Sequence, residues 1–70
     1  MKTIDLHGFR HKDASDKVCR LCSEYDGPFV VITGRSQHMK KIVLAVVKNY
    51  GLTARETIGN PGRMIIDESR

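Results

Sequence analysis

The stretch Phe29-Val30-Val31-Ile32-Thr33-Gly34-Arg35-Ser36 decides the fold. Its first four residues form a continuous apolar run, which is typical of a strand in the interior of a sheet. The turn Thr33-Gly34-Arg35 follows, and Ser36 is a suitable N-cap for a helix. Apolar residues then repeat at spacings of three and four, at Met39, Ile42, Val43, Val46, Val47 and Tyr50. The pattern predicts a strand followed by a helix that ends at Gly51, where a left-handed C-cap belongs.

A second strand–helix unit precedes this one. Residues Thr3 to His7 alternate between apolar and polar, which predicts a short strand that ends at Gly8. Asp13 is a candidate N-cap for the following helix, and Asp26-Gly27-Pro28 ends it. The apolar face of that helix comprises Ala14, Val18, Leu21, Cys22 and Tyr25.

The last part of the chain predicts a hairpin. Leu52 to Ile58 is an edge-type strand, Gly59-Asn60-Pro61-Gly62 is a turn, and Arg63 to Asp67 is a final strand. The resulting order is βαβαββ, in which strands one to three run parallel and the fourth is antiparallel. We expect one α/β (α+β) domain over residues 1–70, because 70 residues leave no material for a second core.

Composition restricts the setting and the partner. Twelve Lys and Arg against eight Asp and Glu give a net charge of +4, and a small basic domain attracts polyanions. No apolar run approaches the roughly 20 residues of a bilayer span, and no secretory signal is visible, so no membrane contact is expected. Cys19 and Cys22 are too few for a disulfide framework, which favours a reducing, cytoplasmic setting. With two Phe, two Tyr and no Trp, base stacking is not expected to dominate binding.

The predicted topology brings three polar segments to one edge of the sheet. The carboxyl ends of parallel strands lie together, so this edge holds Asp5 to Gly8, Thr33 to His38 and Gly59 to Arg63. Ligands of open α/β sheets bind at this edge. Both helix N-termini lie there as well, and their free N–H groups suit phosphate.

These segments resemble the motifs of one family. Asp5-Leu6-His7-Gly8 is similar to the DLHG signature of the small MutS-related (Smr) domain. Ile32-Thr33-Gly34-Arg35 resembles the family's TGxG segment, and Asn60-Pro61-Gly62 resembles its Asn-x-Gly turn. The match runs in order from about Thr3 to Asp67. The resemblance implies a two-layer sandwich of a four-stranded mixed sheet and two helices, like the C-terminal domain of translation initiation factor three. It also implies nucleic-acid binding and endonuclease activity on DNA or RNA.

The predicted catalytic residues are Asp5, His7 and Arg35. Asp5 and His7 are two positions apart on one strand, which places them on one face about 6.6–7 Å apart. His7 is then a general acid or base in phosphodiester cleavage, and Asp5 orients it or binds a metal. Arg35 would hold a phosphate and stabilise its developing charge. The alternative is that Asp5 and His7 bond to loop backbones and that Arg35 is a solvated turn residue.

A wider set of residues is predicted to bind nucleic acid. It comprises Gly8, Thr33, Gly34, Arg35, Ser36, His38, Lys40, Lys41, Asn60, Gly62 and Arg63. Ser36 stands at the second glycine of the TGxG pattern. No metal ligand is assigned, although a divalent metal ion is the one candidate cofactor, and a zinc site of His7, His11, His38 and Asp5 is an alternative. For Lys40 and Lys41 the alternative is a solvated helix face. Cys19 and Cys22 lie mid-helix, which favours core packing over redox chemistry.

Three functions stay open at this point. The first is an Smr-type nuclease, the second a non-catalytic nucleic-acid-binding module that uses the same edge, and the third an adaptor that acts through protein contacts. The resemblance also places both helices on one face of the sheet. We expect Phe29 and Val31 to lie on the uncovered face, where an apolar patch would bind a second copy or a protein partner.

Overall fold

The computed structural model describes residues 2–68, which fold as a four-stranded mixed sheet and two helices. In chain order the elements are β1 (Lys2–Asp5), α1 (His11–Ser23), β2 (Phe29–Ile32), α2 (Gln37–Asn49), β3 (Leu52–Thr57) and β4 (Asn60–Glu68). This confirms the predicted order βαβαββ. β1 pairs parallel with β2, while β4 lies between β2 and β3 and is antiparallel to both. β3 therefore runs in the direction of β1 and β2 but lies at the sheet edge.

A single hydrophobic core lies between the two helices and one face of the sheet. Each helix contributes its predicted apolar face apart from the terminal tyrosines, because Tyr25 lies after the end of α1 and Tyr50 follows α2 and is exposed. The sheet contributes alternate residues from each strand, because successive side chains of a strand point to opposite faces. The buried core residues are Leu6, Ala14, Val18, Cys22, Phe29, Val31, Met39, Val43, Val46, Val47, Leu52, Met64 and Ile66.

The other face of the sheet carries no helix, and its residues differ from those predicted. Phe29 and Val31 are only 4% and 0% exposed, because they point into the core beneath the helices. Val30 and Ile32 point to the uncovered face, where Val30 pairs with Ile65 of β4. Val30 is itself only 7% exposed. The prediction that Phe29 and Val31 form an exposed docking patch is therefore wrong. It placed these two residues on the uncovered face of the sheet, whereas they lie on the face that the helices cover.

The helix ends follow local chemistry. The Ser36 hydroxyl accepts a hydrogen bond of 3.1 Å from the Met39 N–H, which confirms the predicted cap of α2. Gly51 follows α2 with φ +71°, as the left-handed C-cap requires. By contrast, α1 begins at His11, and Asp13 lies in its first turn rather than at the cap. The Asp13 carboxylate favours the helix dipole from either position, so the sequence alone did not separate them.

The hairpin reverses two residues earlier than predicted. Thr57 pairs with Asn60, so the turn consists of Ile58 and Gly59, and Gly59 adopts φ +79°. Asn60-Pro61-Gly62 therefore belongs to β4 rather than to the turn. The register of β3 against β4 shifts after Glu56, and this bulge lets β4 continue beside the turn that follows β2.

The two cysteines are free thiols of α1. Cys22 belongs to the core, and burial, with a smaller effect of Cys19, raises its pKa from 9.0 to about 11. A thiol with a raised pKa is a poor nucleophile at neutral pH, so the core-packing prediction is confirmed. Within residues 2–68, neither helix is long and apolar enough to cross a bilayer.

Candidate nucleic-acid interface

Two loops and the β3–β4 hairpin meet at the edge formed by the carboxyl ends of β1 and β2. We call this the loop edge; it comprises residues 6–9, residues 33–36, and residues 58–62 of the hairpin turn and the start of β4. The Gly62 carbonyl joins β4 to the loop that follows β2, because it accepts hydrogen bonds from the N–H groups of Thr33 (2.8 Å) and Gly34 (3.2 Å). A Cβ atom at Gly62 would lie 3.4 Å from the Gly34 Cα, which is van der Waals contact, so the two backbones lie close together here. Gly62 therefore connects β4 to the loop that follows β2.

His7 lies against the second loop. A Cβ atom at Gly34 would lie 3.5 Å from Cδ2 of the His7 ring, so the imidazole packs over the Gly34 backbone. Gly34 also has φ +66°, a conformation that L side chains rarely adopt. His7 remains exposed to solvent. The exposed imidazole and the loop that carries Arg35 are thus neighbours.

Asp5 supports the loop of His7 through the backbone. The Asp5 carboxylate accepts a hydrogen bond of 2.8 Å from the His7 N–H. β1 ends at Asp5, and the next residues form a turn in which Gly8 has φ +86° and the Phe9 N–H donates to the Leu6 carbonyl at 3.0 Å. The prediction that Asp5 and His7 share one strand face is therefore wrong. Asp5 holds the turn that presents His7, as the loop-backbone alternative describes for Asp5.

The two hydroxyls predicted to bind nucleic acid are both engaged inside the fold. Thr33 is 3% exposed, and its hydroxyl donates a hydrogen bond of 2.9 Å to the Gly34 carbonyl. The Ser36 hydroxyl caps α2. A buried hydroxyl with an internal partner is not available to a phosphate, so Thr33 shapes the loop. Ser36 has φ −70°, so the backbone at this position does not need the conformational freedom of a glycine.

The two lysines of α2 differ in exposure. Lys40 is 5% exposed, and its ammonium lies 3.1 Å from the Glu56 carboxylate of β3. Lys41 is exposed. The prediction that Lys40 contacts a nucleic-acid backbone is therefore wrong, and so is its alternative of a solvated helix face, because the residue points between α2 and the sheet. The pattern of charges did not reveal this burial, since Lys40 follows the buried Met39 on the border of the apolar stripe.

Exposed charges at the loop edge are mostly cations, with the carboxylates of Asp5 and Asp13 beside them. Carboxylates line the grooves at the opposite edge, where Arg20 and Lys48 lie in the last turns of the two helices. Exposed or half-buried cations at or near the loop edge are Arg10, Arg35, Lys41 and Arg63. The grooves at the opposite edge are lined by carboxylates together with Lys2, and these carboxylates are Glu24, Asp26, Asp67 and Glu68. The excess of cations at the loop edge favours the approach of a polyanion there.

The contact between His11 and His38 was not predicted from the sequence. The rings of His11 in α1 and His38 in α2 stack with centroids 4.0 Å apart and planes inclined by 7°. Imidazole lone pairs lie in the ring plane, so two nearly parallel rings do not direct them onto one ion. Within residues 2–68, no group of three or more His, Cys, Asp or Glu side chains is arranged to hold a metal ion. The zinc alternative is therefore not supported.

The sequence did contain a signal for this pair. His11 follows Gly8 by three residues and His38 follows Gly34 by four, so each histidine lies in the first turn of the helix after a strand-ending glycine. Placing the start of α1 at Asp13 hid the equivalence. Of the remaining predicted residues, Gly8 forms the tight turn after β1 and Asn60 begins β4 beside Gly62.

No family model, curated protein or solved structure matches the chain. The resemblance to the Smr domain thus rests on its motifs and their order. Functional assignment depends on the geometry and charge of the loop edge.

Proposed function

We propose that this domain binds DNA or RNA at the loop edge and cleaves its phosphodiester bonds as an Smr-like endonuclease. The observation that carries the proposal is the exposed imidazole of His7, packed against Gly34 of the loop that carries Arg35. This arrangement combines a proton-transfer group, a cation and the N-terminus of α2 at one basic edge. Phosphodiester cleavage needs such a combination, because a proton moves while negative charge develops on the phosphoryl oxygens.

Each side chain has a distinct role in the proposed reaction. The His7 imidazole accepts a proton from the attacking oxygen or donates one to the leaving oxygen. That attacking oxygen belongs to water, or in RNA to the neighbouring 2′-hydroxyl. The Arg35 guanidinium pairs with the non-bridging phosphate oxygens through parallel N–H donors. Asp5 is a positioning residue, because its carboxylate fixes the backbone of the turn that carries His7.

The proposal predicts that His7→Ala will remove cleavage without unfolding the domain. Loss of a general acid or base should reduce the cleavage rate by about 10²–10⁴-fold. Because His7 is exposed, the unfolding midpoint should stay close to that of the parent. Supercoiled plasmid and structured RNA are the substrates, each with EDTA and with Mg²⁺, since nucleic-acid phosphates themselves help to bind Mg²⁺.

Two outcomes would contradict the catalytic role. One is a variant that cuts as fast as the parent. The other is a lowered unfolding midpoint with an equal loss of binding and cleavage, which would make His7 a structural residue. The thermal midpoint and the affinity must therefore be measured on the same preparation as the cleavage rate.

A non-catalytic nucleic-acid-binding module is the second candidate, and one observation favours it. The Asp5 carboxylate is bonded to the His7 N–H, so this carboxylate does not orient the imidazole. A parent that binds nucleic acid but cuts no substrate would support the module. Ser36→Gly is then the informative variant, because it restores the glycine of the TGxG pattern. Cleavage that appears only in that variant would identify a binding module on a nuclease-like frame.

The proposed setting is the cytoplasm, where DNA and RNA are both accessible in a prokaryotic cell and RNA in any cell. The free thiols of Cys19 and Cys22 support it, because reduced cysteines persist in reducing compartments.

A further inference from the structure

We propose that the stacked rings of His11 and His38 form a platform for an unpaired nucleobase. The proposal rests on the proposed function and adds a substrate class to it: a nucleic acid with a nucleotide outside the helical stack. The platform lies where α1 and α2 begin, at the loop edge that carries His7 and Arg35.

The geometry of the pair resembles a stack of bases. The ring planes differ by only 7° and the centroids lie 4.0 Å apart, closer than the 4.5–7 Å common between aromatic side chains. Each imidazole uses one face for its partner. Both residues are exposed to solvent, and the proposal assigns an outer ring face of the pair to a third flat ring. Histidine is among the side chains on which unstacked bases are bound.

The charge around the pair suits a nucleotide. Arg35 lies three residues before His38 and Lys41 three residues after it, and both are exposed. The phosphates on either side of a stacked base can therefore be neutralised by cations of the same loop and helix. The parallel rings do not chelate a single ion, which leaves stacking as the interaction that this arrangement favours.

An unpaired base is required for a geometric reason. A base inside a duplex already has a neighbour on each face, so it has no free face to offer. Bases in bulges, loops and single strands can be splayed out onto a side chain. The platform would thus make the loop edge select nucleic acids that contain such a base over fully paired ones.

The test compares two hairpins of equal length, one with a single unpaired adenine bulge and one fully paired, each made as DNA and as RNA. The parent should prefer the bulged hairpin. Base–aromatic stacking removed by alanine typically reduces affinity by about 5- to 160-fold per base, so His38→Ala should lower the preference by a factor in that range. His38→Phe should retain it, because the flat ring remains. Tyr50→Ala is the matched control, since Tyr50 is an exposed aromatic residue at the other end of α2.

A second measurement separates stacking from a merely structural role. The ring-proton NMR signals of His11 and His38 should move upfield when the bulged hairpin is added, because a stacked base shields the protons beneath it. Unchanged signals, or an unchanged preference in His38→Ala, would overturn the platform. So would a lower unfolding midpoint with equally weaker binding to both hairpins.

The two proposals fail in different ways. If Arg35→Ala weakens binding to both hairpins while His38→Ala binds like the parent, the platform is wrong and the nucleic-acid interface stands. If the parent binds neither hairpin, both the platform and the interface are wrong.

Discussion

Glu56→Gln should destabilise the domain more than Lys40→Met, although the two variants break the same ion pair. The Lys40 side chain is 7% exposed and the Glu56 side chain 47% exposed, with Nζ and Oε1 3.1 Å apart. Removing the carboxylate charge leaves a buried ammonium without its counter-ion. Removing the ammonium leaves a carboxylate that water already reaches, and the methionine retains the apolar stem of the lysine.

The magnitude follows from the exposure of the two partners. Breaking a fully buried pair costs about 3–5 kcal/mol, whereas a fully exposed pair is worth about 0–1 kcal/mol. With one partner buried and one half-exposed, and with the glutamine oxygen still able to accept a hydrogen bond, we expect about 1.5 kcal/mol for Glu56→Gln. In a domain of this size that corresponds to a Tm lower by about 6–12 °C. Lys40→Met should cost less than about 1 kcal/mol.

Urea unfolding followed by far-UV circular dichroism measures both variants. Asp16→Asn is the matched control, because the Lys12–Asp16 pair is exposed on both sides (87% and 67%) and longer, at 3.5 Å. It should shift the free energy of unfolding by less than about 0.5 kcal/mol. The reasoning is refuted if Lys40→Met is the less stable of the two variants, or if Glu56→Gln shifts the midpoint no more than Asp16→Asn.

Two further predictions concern phosphate contacts and alkaline stability. Affinity for nucleic acid falls as salt rises, and Arg35→Ala and Lys41→Ala should each make the slope of log affinity against log salt shallower by about one unit. Lys40→Met should leave this slope unchanged. Equal slopes in the parent and the three variants would place the interface elsewhere. Burial raises the pKa of Cys22 from 9.0 to about 11, so the folded state favours the protonated thiol. This preference contributes fully to the free energy of unfolding below pH 9.0, and the contribution is lost as the pH rises from 9.0 through about 11. The Tm of the parent should therefore fall more steeply over that range than the Tm of Cys22→Ala, and parallel profiles would contradict this.

The helices and the order of elements could be predicted because each depends on a repeated local pattern. The apolar stripe of α2, its Ser36 cap and Gly51 reinforce one another over one contiguous segment, and the structure reproduces all three except for Tyr50, which is exposed. The continuous run of β2 likewise predicted an interior strand, and β2 pairs on both sides. The predictions were wrong where a segment suits two local structures about equally well. Asn60-Pro61-Gly62 is a plausible turn, but the two-residue turn at Ile58-Gly59 allows β4 to pair with both neighbours.

Tertiary contacts explain what the sequence did not reveal about the site. The topology correctly brings the loops of His7, Gly34 and Gly62 to one edge, since parallel strands share their carboxyl ends. The burial of Lys40 depends on Glu56, a residue 16 positions away in sequence on a different element. Similarly, the sense in which β2 presents Val31 to the core depends on which face the helices cover. Because β2 has an apolar residue at every position, its sequence does not indicate which of its two faces the helices cover.

The loop edge also shows how a glycine can serve structure and chemistry through one contact. Gly34 has a positive φ, which L side chains rarely adopt, and it lies in ordinary contact with the His7 ring and with Gly62. These contacts place the imidazole beside the loop that carries Arg35. The ring is held by packing and its turn by Asp5, and the proposed function assigns proton transfer to the ring nitrogens. The same feature therefore supports both a phosphate-binding edge and a proton-transfer group, and cleavage by the parent against His7→Ala decides whether the second of these is used.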